Sequence, residues 1–75
     1  MRTEQDVREN PQPGDVARKR GQSKESRKVA AIVGNVVQCD RLNSRGIKIG
    51  WVCPWLKEWR CWARDAEVLK IGGNE

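Results

Sequence analysis

No window of this chain keeps an apolar helical repeat over ten or more positions, so no long helix is expected. The chain offers short alternating runs instead. Ile47-Lys-Ile-Gly-Trp-Val-Cys53 sets Ile47, Ile49, Trp51 and Cys53 on one face, expected to be the inner one. Pro54 cannot donate a ladder hydrogen bond and ends that run. Lys28-Val-Ala-Ala-Ile-Val33 sets Val29, Ala31 and Val33 against Ala30 and Ile32, and Val36 to Leu42 puts Val37 and Cys39 on one side. Gly34-Asn35 between two Val-rich runs reads as a two-residue hairpin or as a bulge in one bent strand. Asn43-Ser-Arg-Gly46 is a turn by composition.

The remaining elements follow by the same reading. Val16 to Arg20 is a first strand with Val16 inward, and Gly21 to Ser26 is a polar surface loop. Trp59 to Ala63 is a return strand across a loop at Trp55 to Glu58. Arg64-Asp-Ala-Glu67 is a single helical turn before a last strand at Val68 to Ile71. The fold class is therefore all-β, with five to six antiparallel strands and one short 3-10 turn before the last. With 75 residues there is room for one small domain. A sheet this small avoids adhesive edges by closing, or nearly closing, into a barrel. Residues 1–13, polar and carrying Pro11 and Pro13, are expected as a flexible leader, 14–71 as the barrel and 72–75 as a tail.

Histidine is absent, which removes Ser-His-Asp and Cys-His nucleophiles and His-ligated zinc. Asp40, Asp65 and Glu67 are the carboxylates in or beside predicted strands, and none pairs with another. No glycine-rich phosphate loop opens a helix. The chain reads as a non-enzyme without cofactor. The cysteines at 39, 53 and 61 have spacings unlike a four-ligand zinc site. An odd count without a signal-like start argues against a disulfide framework, so they read as small buried hydrophobes in a reduced cytoplasm. No apolar run approaches the roughly 18 residues of a membrane span.

The net charge of +5 is uneven. Residues 16–48 carry nine basic side chains against Glu25 and Asp40, whereas residues 49–75 balance to zero. Arg18, Lys19, Arg20, Lys24, Arg27 and Lys28 place six bases within eleven residues on the first loop. Such a cluster suits phosphates with little sequence preference.

All four aromatic residues are tryptophans, between positions 51 and 62. Trp51 is expected in the core. On a return strand Trp59 and Trp62 have opposite parity, so at least one of Trp55, Trp59 and Trp62 is expected at the surface. An exposed indole beside Lys57 and Arg60 suits base stacking, and the same composition suits protein interfaces.

The frame Pro13-Gly14-Asp15-x-x-Arg18, the basic loop, the Val-rich centre and the ending Ala63-Arg-Asp-Ala-Glu-Val-Leu-Lys-Ile71 resemble small SH3-like barrels over residues 13–71. The resemblance extends to KOW-type nucleic-acid modules, the ferredoxin-docking subunit of photosystem I and the type II dihydrofolate reductases. It implies that Ala66, Leu69 and Ile71 plug the barrel. The pore-lining Val-Gln-Ile-Tyr stretch of the reductases has no counterpart in a chain without Tyr, and Val37-Gln38 leads into Cys39-Asp40 instead.

The expected function is that of a small basic accessory protein binding nucleic acid, or docking on a protein of a nucleic-acid machine. Its expected site is Arg18, Lys19, Arg20, Lys24, Arg27, Lys28, Trp55, Trp59, Arg60 and Trp62. The alternative is a protein–protein module or homo-oligomer using the tryptophan surface as its interface.

Overall fold

The fold was obtained as a computed structural model that describes residues 2–21 and 24–72. It is mostly β. Helix α1 (Glu4–Glu9) precedes strands β1 (Val16–Lys19), β2 (Glu25–Val33), β3 (Val36–Asn43) and β4 (Lys48–Val52). Helix α2 (Leu56–Ala63) then leads into β5 (Ala66–Lys70). The five strands form one antiparallel sheet in the order β4-β3-β2-β1-β5.

The hairpin at Gly34-Asn35 forms as expected, with Val33 opposite Val36 and Gly34 at φ +60. Asn43 closes the next turn: its side-chain oxygen accepts from the N–H groups of Arg45 and Ile47, and Gly46 takes φ +80. In β2 the pairing shifts between Val29 and Ala31, which moves the inward positions from Val29 to Ile32. Val29, Val37 and Cys39 are buried. On β1 the buried residue is Ala17, and Val16 faces outward, the reverse of the expectation.

The largest correction concerns residues 56–67. Leu56–Ala63 is a helix rather than a loop and return strand, and β5 begins at Ala66, where a helical turn was expected. Helical spacing brings Trp59, Trp62 and Ala63 onto one side, so the opposite-parity argument for a strand does not apply. Trp59 and Ala63 are fully buried, and Trp62 packs on Trp59 at 5.2 Å between ring centres. The helix covers the inner face of the sheet, touching β1, β3 and β5. With α2 filling that side, Trp51 faces outward and is 68% exposed; the pairing shifts between Gly50 and Lys48, which brings Lys48 onto the same face, and Ile47 and Ile49 are exposed as well. Leu69 and Ile71, expected to plug the fold, are exposed, and only Ala66 of that trio is buried. Cys53 and Cys61 are exposed as well.

The segment expected as a loose leader carries α1 and is bound to the domain. Thr3 caps α1, receiving a hydrogen bond from the Asp6 N–H while its own N–H donates to the Asp6 carboxylate. Val7 is buried, and its carbonyl accepts from Trp59 Nε1 at 3.0 Å. Arg8 donates to the carbonyl of Ala63, which the end of α2 leaves open, and to that of Ala66 at the start of β5. Arg60 donates to the Glu9 carbonyl. Of the expected tail, residues 73–75 lie outside the described residues.

Candidate functional site

Directly opposed residues on paired strands share a face. The register therefore strings one row across all five strands on the outer face: Lys70, Val16, Lys28, Asp40 and Trp51. A parallel row joins Val33, Val36 and Trp55, the last through an isolated bridge. Trp51, Cys53 and Trp55 thus share one side of one extended segment. The two indoles stand about 13 Å apart along the backbone, at roughly 3.3 Å per residue. Both are more than half exposed, 68% for Trp51 and 59% for Trp55.

Local chemistry holds Trp55 in place. Pro54 accepts from the Val37 N–H, the Leu56 N–H donates to the Asn35 carbonyl at 2.6 Å, and the Trp55 N–H donates to Glu58 Oε1 at 2.9 Å. The start of α2 is thereby fixed to the β2–β3 turn, and the indole stands proud of both. An open cleft of about 460 Å³ beside it is lined by Asn35, Leu56, Lys57 and Arg60. Around Trp51 a second shallow depression of about 420 Å³ is lined by Ala30, Gln38, Asp40, Lys48 and Cys53. Lys48 is paired with Asp40 at 3.2 Å. The arrangement presents two apolar π faces with Lys28, Lys48, Lys57 and Arg60 around them and two carboxylates, Asp40 paired with Lys48 and Glu58 bonded to the Trp55 N–H.

The ten residues expected to form one site are dispersed. Lys28, Trp55 and Arg60 border the outer face just described. Lys19, Arg20 and Lys24 are exposed at the β1–β2 connection. Arg18 is engaged with Glu67 at 2.7 Å, and that hydrogen bond holds the Glu67 carboxyl below its ordinary value. Arg27 turns to the inner side and stacks over Trp62, 4.3 Å from the ring centre. Trp59 is fully buried and offers no face to a ligand.

Trp51, Lys48 and Gln38 were missed. The alternation of residues 47–53 signalled Trp51, giving two faces without saying which one meets the core; Lys48 joins that face only through the register shift between Gly50 and Lys48, and Gln38 carried no such signal.

Among the described residues no group of three Cys, Asp or Glu side chains is placed to hold a metal ion, and no helix is long and apolar enough to cross a membrane. The buried Cys39 thiol is pushed up to about 12, principally by burial, and is chemically quiet. No family model, curated protein or solved structure matches the chain.

Proposed function

We propose that the protein binds single-stranded nucleic acid on the outer face of β2, β3 and β4, with bases stacked on Trp51 and Trp55. The observation that carries this reading is the pair of indoles, exposed side by side on one edge of the sheet and ringed by cations. Aromatic side chains on an open sheet face stack unpaired bases with little regard to sequence, each contributing about 1–3 kcal/mol. Duplexes keep their bases stacked internally and gain nothing from such a platform. Phosphates fall to Lys28 and Lys48 near Trp51 and to Lys57 and Arg60 near Trp55. Lys19, Arg20 and Lys24 extend the positive path at the β1–β2 connection.

The strand order and the helix entering the last strand support the SH3-like resemblance, with an eight-residue α-helix in place of the short turn. Three free thiols support a cytoplasmic setting.

Fluorescence anisotropy with labelled single-stranded and duplex oligonucleotides across a salt series tests the reading. Preference for the single strand is expected, with a log–log salt slope near −3 for about four phosphate contacts at roughly −0.7 each. Equal affinity for duplex, or no binding at low salt, would refute it.

A further inference from the structure

From Trp51 to Trp55 the chain runs opposite β3 without a shift in register: Asp40 faces Trp51, Cys39 faces Val52 and Val36 faces Trp55. Gln38 therefore stands opposite Cys53, and Val37 opposite Pro54. In an antiparallel ladder hydrogen-bonded and non-hydrogen-bonded pairs alternate, and facing side chains come closest in the second kind. Val37 N–H donates to the Pro54 carbonyl and Leu56 N–H to the Asn35 carbonyl, so Val36 and Trp55 form a non-hydrogen-bonded pair. Counting on by twos, Gln38 with Cys53 and Asp40 with Trp51 are of the same kind. The outer face thus carries three like rungs in a row, with an indole at each end and an exposed thiol and amide in the middle.

Each rung lies two residues from the next, about 6.6 Å at roughly 3.3 Å per residue. A nucleotide contributes six backbone bonds where an amino acid contributes three. An extended nucleic-acid strand therefore advances about 7 Å per nucleotide, twice the reach of one residue. Bases stacked on one another repeat every 3.4 Å or so along a strand, which is half the rung spacing. One rung matches one unstacked nucleotide.

We propose that the bound strand lies extended along this segment with one nucleotide per rung, its outer two bases on Trp51 and Trp55 and its middle base over Cys53 and Gln38. The inference rests on the single-strand reading above and adds its spacing. Gln38, Cys53 and Ala30 line the depression of about 420 Å³ beside Trp51, which gives the middle base room without offering it a ring to stack on. Binding is therefore carried by the two end positions, and the middle position admits any base. Charge follows the same division. Lys48 lies on the face of Trp51, Lys57 and Arg60 line the cleft at Trp55, and the middle rung has no cation of its own.

Two trinucleotides with the same bases and the same phosphates test the spacing: thymidine–abasic–thymidine and thymidine–thymidine–abasic, each titrated at low salt by tryptophan quenching. The first reaches both indoles, whereas the second, with its bases adjacent, reaches one. The first is expected to bind at least about fivefold more tightly, the low end of one stacking contact. In Trp51→Ala and in Trp55→Ala, each verified as folded by circular dichroism, the two isomers are expected to bind equally. Saturating trithymidylate is expected to slow alkylation of Cys53 by N-ethylmaleimide severalfold in the native chain. Equal affinity of the isomers for the native chain would overturn the spacing, as would full-rate alkylation of Cys53 in the saturated complex. Either result leaves stacking on Trp51 and Trp55 standing, whereas failure to bind longer single strands would refute that reading and the spacing with it.

Discussion

The buried Asp15 carboxylate receives both terminal nitrogens of Arg2, at 2.6 and 2.7 Å. It also accepts the N–H groups of Gln12 and Gly72, so one side chain joins the segment before α1, the entry to β1 and the exit from β5. Removing one member of a buried pair strands the other, which costs about 3–5 kcal/mol. Asp15→Ala is expected to lose that much in urea denaturation. A loss below about 1 kcal/mol would show that the node is dispensable.

The same contact sets an acid limit. Burial alone would raise the Asp15 carboxyl, but the bonds from Arg2, Gln12 and Gly72 outweigh burial and hold it below 3.8. A carboxyl with a lower pKa folded than unfolded contributes stability that is complete above the unfolded value and drains away as pH falls toward the folded one. Melting temperature is expected to be level from about pH 5 to neutrality and to fall below about pH 4. In Asp15→Asn that acid-side fall should be shallower. An unchanged acid limb in the variant would assign it to other groups.

Gly72 sits against Gly14 so closely that a Cβ would lie 2.5 Å from the Gly14 carbonyl carbon. Backbone, not a flexible side chain, stands in the way. Gly72→Ala is expected to destabilise by about 1–3 kcal/mol through overpacking, while its N–H to Asp15 is strained. A neutral result in thermal melts would contradict the contact.

Arg27 tests the inner face. Its guanidinium lies over Trp62, so Arg27→Met is expected to cost about 0.5–2 kcal/mol of stability and leave the salt slope of binding unchanged. A loss of one unit from that slope, with stability intact, would return Arg27 to the phosphate-contacting set.

These residues also show what the sequence made legible. Val33-Gly34-Asn35-Val36 and Asn43 to Gly46 carry their turns locally, and both form where expected. The alternation from Gly50 to Cys53 was legible, but its facing was not, because alternation is symmetric until something covers one side, and the register shift at Ile49 left no mark in the pattern. The cover is α2, eight residues long, too short for a periodicity test yet marked by Leu56, Trp59 and Ala63 and by Glu58 bonding back to Trp55. Arg2 and Asp15 stand thirteen positions apart, and no local pattern predicts a bond between them.

Trp51 and Trp55 provide the most direct test. Quenching of tryptophan emission by a short single-stranded oligonucleotide should be strong in the native chain, since both indoles are exposed, while Trp59 is buried and contributes a constant background. Trp51→Ala/Trp55→Ala is expected to bind at least about 30-fold more weakly, the loss of two stacking contacts at the low end of their range. Retention of native affinity by that folded variant would contradict the stacking platform.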